Sequence, residues 1–162
     1  MKNKSYFLLL VAFMIFMNLP VVGQTGSYVY TVAGGGTAPR WTSGPATSAS
    51  ISRARGVYED ISGNVYFAEG DSTIQKVAAA TGIITTIAGP GSTTSDGVPA
   101  TSAILSGLSG VTVDAADNIY LTTYGLVRKI NAATGNISTI AGNGTSASDG
   151  IPATAASLNS PS

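Results

Sequence analysis

From Val57 onward, apolar positions come in short runs cut by turn residues. Val57 with Val65-Tyr66-Phe67, and Val111 and Val113 with Ile119-Tyr120-Leu121, are β-branched and aromatic runs of strand length. Between them lie Ser62-Gly63-Asn64 and Ala116-Asp117-Asn118, residue types that accept the positive φ of a tight hairpin turn. Ile74 to Val77 and Val127 to Ile130 predict third strands. Thr81-Gly82 and Thr134-Gly135 then turn the chain into fourth strands over Ile83 to Ala88 and Asn136 to Ala141. After the N-terminal segment no run keeps a helical period for longer than about a turn.

The pattern is a repeat. Gly56 to Gly89 returns, one residue shorter, as Gly110 to Gly142. Thr31-Val32-Ala33-Gly34, Thr86-Ile87-Ala88-Gly89 and Thr139-Ile140-Ala141-Gly142 hold the same register, as do Pro45, Pro99 and Pro152, at intervals of 53 to 55 residues. The length difference falls between Ala68 and Ile74, against Thr122 to Val127, where a loop tolerates it. A period this long marks stacked copies of one supersecondary unit. Each unit reads as a four-stranded antiparallel meander, and meanders repeating at this spacing are blades of a β-propeller. A β-solenoid has a shorter coil and ranks below it.

The fold expectation is therefore all-β: two complete blades, about 56–89 and 110–142, with connectors at 34–55, 90–109 and 143–162. Tyr28 to Ala33 aligns with the fourth strands and predicts a lone N-terminal strand that closes the last blade of a ring. Ile51, Leu105 and Leu158 each give one apolar residue to pin a connector between blades. Two blades cannot close a ring, so the rest of the propeller is expected from a missing C-terminal part or, as the lesser alternative, from several chains.

Residues 1–23 read as a secretory signal peptide: Lys2 and Lys4, an apolar run from Tyr6 to Met17, Pro20, then Val21-Val22-Gly23 before cleavage. The apolar run is shorter than a membrane span needs. The mature segment, 24–162, is expected outside the cell or in the periplasm. Loss of the two leader lysines leaves it mildly acidic, which argues against a nucleic acid or an anionic membrane as partner.

The chain has no histidine and no cysteine. Ser–His–Asp hydrolysis, thiol catalysis and His/Cys zinc sites are excluded within these residues. The carboxylates read as turn chemistry: Asp96 and Asp149 in Ser-Asp-Gly connectors, Glu59-Asp60 and Asp114 with Asp117 around the first hairpins. Glu69 and Asp71, with Lys76, belong to the longer second-to-third-strand loop and read as solvated surface. Arg128-Lys129 and Gln75-Lys76 are expected to be solvated, strand-pairing side chains. Tyr66 and Tyr120 read as packing aromatics, and Trp41 as a connector residue that could anchor a ligand. Asn136 and Asn143 begin glycosylation sequons. No residue is assigned to catalysis, to a metal or to a cofactor.

The TxAGxG strand end, the SDG(V/I)PAT connector, the GVxVD opening, the N(V/I)Y second strand, the RKI third strand and the ATGxIxT turn together resemble the NHL repeat in its secreted bacterial form. The first unit departs from it, since Thr42-Ser43-Gly44-Pro45 lacks the Asp of Asp96-Gly97. The resemblance implies a propeller, often of six blades, used mostly as a rigid binding or spacing module. The partner would be an extracellular protein, peptide or glycan. The alternative it implies is a lactonase- or lyase-like enzyme whose channel metal is completed by blades outside this chain. The family's amidating lyases hold zinc with histidines, which are absent here, and the cation ligands of lactonase-like propellers do not map onto these residues.

Overall fold

The structure, a computed structural model, describes residues 29–39, 43–70 and 72–161. The leader expected at 1–23, Arg40, Trp41 and Asp71 lie outside the described residues. The chain divides into Met1–Tyr30, of which Val29 and Tyr30 are described, and Thr31–Ser162, which carries the fold.

The fold is all-β, with two antiparallel five-stranded sheets. The first contains β1 (Gly44–Pro45), β2 (Ala54–Glu59), β3 (Val65–Glu69), β4 (Thr73–Val77) and β5 (Ile83–Ala88), in the order β1-β5-β4-β3-β2. The second contains β6 (Val98–Pro99), β7 (Val111–Val113), β8 (Ile119–Thr123), β9 (Leu126–Ile130) and β10 (Asn136–Gly142), in the order β6-β10-β9-β8-β7. β2 to β5 and β7 to β10 are the two predicted meanders. The fifth strand of each sheet was not predicted. It comes from the preceding connector, where Pro45 and Gly44 lie opposite Ile83 and Ile84, and Pro99 and Val98 opposite Asn136 and Ile137. Two residues are too few to signal a strand, and proline is tolerated only because this strand is an edge.

The turns follow the residue types that predicted them. Gly63 and Asp117 occupy equivalent hairpin positions at φ 79 and 61, and Gly82 and Gly135 equivalent turns at φ 65 and 69. The one-residue difference between units sits where Glu69 pairs with Thr73 but Thr123 pairs with Leu126. The glycine ending each Ala-Gly strand is fixed by backbone approach. A Cβ on Gly89 would fall on the Ser72 carbonyl, and one on Gly142 on the Gly125 carbonyl, with φ positive at both.

Side chains alternate across each sheet. Tyr66, Ala68 and Ile74 of the first sheet join Val111, Val113, Leu121, Ile130 and Ile137 of the second in one buried cluster, with Ala100, Ala103, Leu105 and Leu108 of the connector between them. The sheets are thus stacked, with the connector as filling, and Leu105 is pinned there as expected. Phe67, Val77 and Ile84, on the opposite face of the first sheet, are covered by Ala46 and Ala49, with Ile51 packed beside them.

Val29 to Ala33 carries no strand among the described residues, and Tyr28 lies outside them; the closing role expected of this segment requires a last blade to pair with. Two expectations are corrected. Glu69 is not in a solvated loop. It ends β3, is 1% exposed, and accepts hydrogen bonds from the Ser52 N–H and hydroxyl. Arg128 and its counterpart Gln75 are not solvated either, being 3% and 0% exposed, because a connector crosses the face of each sheet on which they stand.

Candidate functional site

Each first hairpin is held by the same polar constellation. The Asp60 carboxylate accepts from the Ser62 and Asn64 N–H groups at 2.9 Å, from Asn64 Nδ2 at 2.8 Å and from the Tyr66 hydroxyl at 3.0 Å. Asp114 accepts equivalently from the Ala116 and Asn118 N–H groups, Asn118 Nδ2 and the Tyr120 hydroxyl. Asn64 and Asn118 pass the network on by accepting from the Ala79 and Ala132 N–H groups of the next turn. Lys76 and Lys129 pair across the strands with Tyr66 and Tyr120, and their ammonium groups lie 5.2 and 5.5 Å from the ring centroids.

Four donors converging on one carboxylate favour its charged form. The bonds from Asn118 lead in drawing Asp114 down from 3.8 to about 2, outweighing some burial. At Asp60, burial pulls upward, but the bonds from Asn64, Tyr66 and Ser62 win and the group is lowered. Both stay ionised at neutral pH, and neither is suited to donate a proton there. Tyr66 is raised, first by burial.

A cleft of about 330 Å³ opens between the sheets beside this constellation, lined by Asn64, Tyr66, Lys76, Asp117, Ile119 and Asn131 among others. A smaller one of about 160 Å³ lies at the β8–β9 turn, between Tyr124, Arg128, Thr94 and Ile104. Tyr124 is 73% exposed and stands over Gly107, where a Cβ would meet its ring. The repeat pattern does not single out Tyr124, whose one signal in the sequence is an aromatic residue inside a two-residue turn.

Arg128 donates to the Asp96 carboxylate at 2.7 Å, and Asp96 also accepts from the Thr139 hydroxyl at 3.1 Å. Burial alone would raise Asp96, but its bonds with Thr139 and Arg128 lower it. Asp96 is therefore more than a turn residue, as it ties a connector to the sheet beneath. Asp149, the matching residue of the third connector, is exposed. Among the described residues no three His, Cys, Asp or Glu side chains come together to hold a metal, and no helix is long and apolar enough to cross a membrane. No protein-family model matches the chain, and no curated protein matches it either.

Proposed function

We propose that the chain is part of a secreted, non-catalytic β-propeller of the NHL-repeat kind. Its two sheets are two blades of a larger ring, often six-bladed in that family. It recognises an extracellular protein, peptide or glycan through loops at one end of the blades. The observation that carries this reading is the stacking itself: equivalent sheets lie face to face over a shared connector, with Tyr124 left 73% exposed at a turn. The polar groups support it, because Asp60, Asp114 and Asp96 are engaged in holding hairpins and connectors. A rigid frame that presents an aromatic at a loop is suited to binding.

The test uses the exported protein, elemental analysis and a glycan and peptide array. The reading expects no stoichiometric metal and saturable binding that Tyr124→Ala weakens at least several-fold. A stoichiometric divalent cation together with lactone hydrolysis or peptide cleavage would replace it with the enzyme reading.

A further inference from the structure

The third connector repeats the conformation of the second. Pro152 has φ −54 and ψ 136 where Pro99 has −52 and 134. Gly150 has φ 74 where Gly97 has 78, and the bridge from Ser146 to Ala156 repeats that from Thr93 to Ala103. In the second connector each of these features serves the second sheet. Val98–Pro99 pairs with β10, the Ala100 N–H bonds the Gly135 carbonyl, and Asp96 takes Arg128. In the third, Ile151-Pro152 forms no strand and the Asp149 carboxylate is exposed. The sheet face beside it is open in the same sense. Ala68 and Ile74 are 0% exposed between the sheets, whereas their equivalents Thr122 and Val127 are only partly buried, and Ile140 is 37% exposed.

We infer that the third connector and the outer face of the second sheet form a docking surface for one further sheet of the same unit, whose third strand carries an arginine against Asp149. The chemistry selects the occupant. A second copy of this chain would present its first sheet, in which Gln75 stands where Arg128 stands in the second. That sheet's receiving face is also already crossed by its own connector, with Ala46 and Ala49 on Phe67, Val77 and Ile84. It offers no cation for Asp149 and no room for a second connector. A unit of the second kind offers both. This inference rests on the propeller reading and adds to it the chemistry of the neighbouring blade.

The experiment fuses a copy of residues 110–162 after Ser162 of the full chain and follows urea unfolding. The extended chain is expected to unfold in one transition at higher urea than the parent. Asp149→Asn is expected to lower its midpoint by about 0.5 M and to leave the parent chain unmoved. Arg128→Gln made only in the appended copy should produce a smaller loss, and the two changes together no more than Asp149→Asn alone. An Asp149→Asn shift that is absent, or equal in both chains, overturns the pairing while the stacking reading stands. Two separate transitions, the first at the parent's midpoint, overturn both. A parent chain that light scattering shows to be a dimer, weakened by Asp149→Asn, would make a second copy the occupant and overturn the inference.

Discussion

Arg128 and Asp96 are unequal partners: the arginine side chain is 4% exposed and the aspartate 49%. Loss of the aspartate strands a buried guanidinium, while loss of the arginine leaves a carboxylate that water can reach. Asp96→Ala is therefore expected to destabilise the chain by about 1–3 kcal/mol, and Arg128→Gln by less. In the first sheet a glutamine stands at the same place: buried Gln75 accepts a hydrogen bond from Thr86, the equivalent of Thr139, at 3.1 Å, although its Nε2 finds no partner there. Urea titration of both variants checks the order, and a larger loss in Arg128→Gln contradicts it. Gly89→Ala is harsher in kind. Its φ of 60 alone costs roughly 1–3 kcal/mol for a side-chain-bearing residue, and the new methyl would meet the Ser72 carbonyl. The strands and turns were legible because alternation and turn residues are local signals. The burial of Glu69 and Arg128 was not, because a connector distant in sequence supplies it. One trace of the Arg128 pair did exist: the unit that lacks Asp96's equivalent also lacks the arginine.

At the scale of the element, the Asp-Asn-Tyr network makes each first hairpin a charge-dependent unit. Asp114 is at about 2 in the folded chain against an ordinary 3.8, and Asp60 is lowered in the same direction. A depressed folded value means stability that is present above the ordinary value and lost as pH falls through the folded one. Thermal midpoints are thus expected to fall between pH 5 and pH 2. The Asp60→Asn/Asp114→Asn double variant should start lower at pH 5 and change less on acidification, because an amide cannot accept four donors and does not titrate. An unchanged acid slope in that variant would remove the hairpin carboxylates as its source. The fifth strands show the limit of local reading at this scale. Gly44–Pro45 and Val98–Pro99 are strands only because β5 and β10 present an edge, and Ile151-Pro152, of the same sequence type, forms none.

Across the molecule, the larger core is shared between the two sheets, while Phe67, Val77 and Ile84 with Ala46 and Ala49 form a smaller one that belongs to the first sheet alone. The larger takes residues from both sheets and from the connector between them, as in stacked-repeat proteins whose stability is a sum of unit and interface contributions. The outward faces show what the interface supplies: Val57 of the first sheet is 73% exposed, whereas its equivalent Val111, facing the first sheet, is 9% exposed. Unfolding is therefore expected to be a single transition in which far-ultraviolet dichroism, reporting strands, and near-ultraviolet dichroism, reporting tyrosine packing, coincide. Leu105 is the residue on which this depends, being 3% exposed and wedged between the sheets. Leu105→Ala should cost about 2–5 kcal/mol and move both signals together, because the cavity opens in a core that neither sheet owns. If the sheets instead fold independently, the same change would split the curves and leave part of the unfolding amplitude at its original midpoint. Coincidence after Leu105→Ala would place the cooperative unit at the sheet–connector–sheet sandwich and not at the single meander.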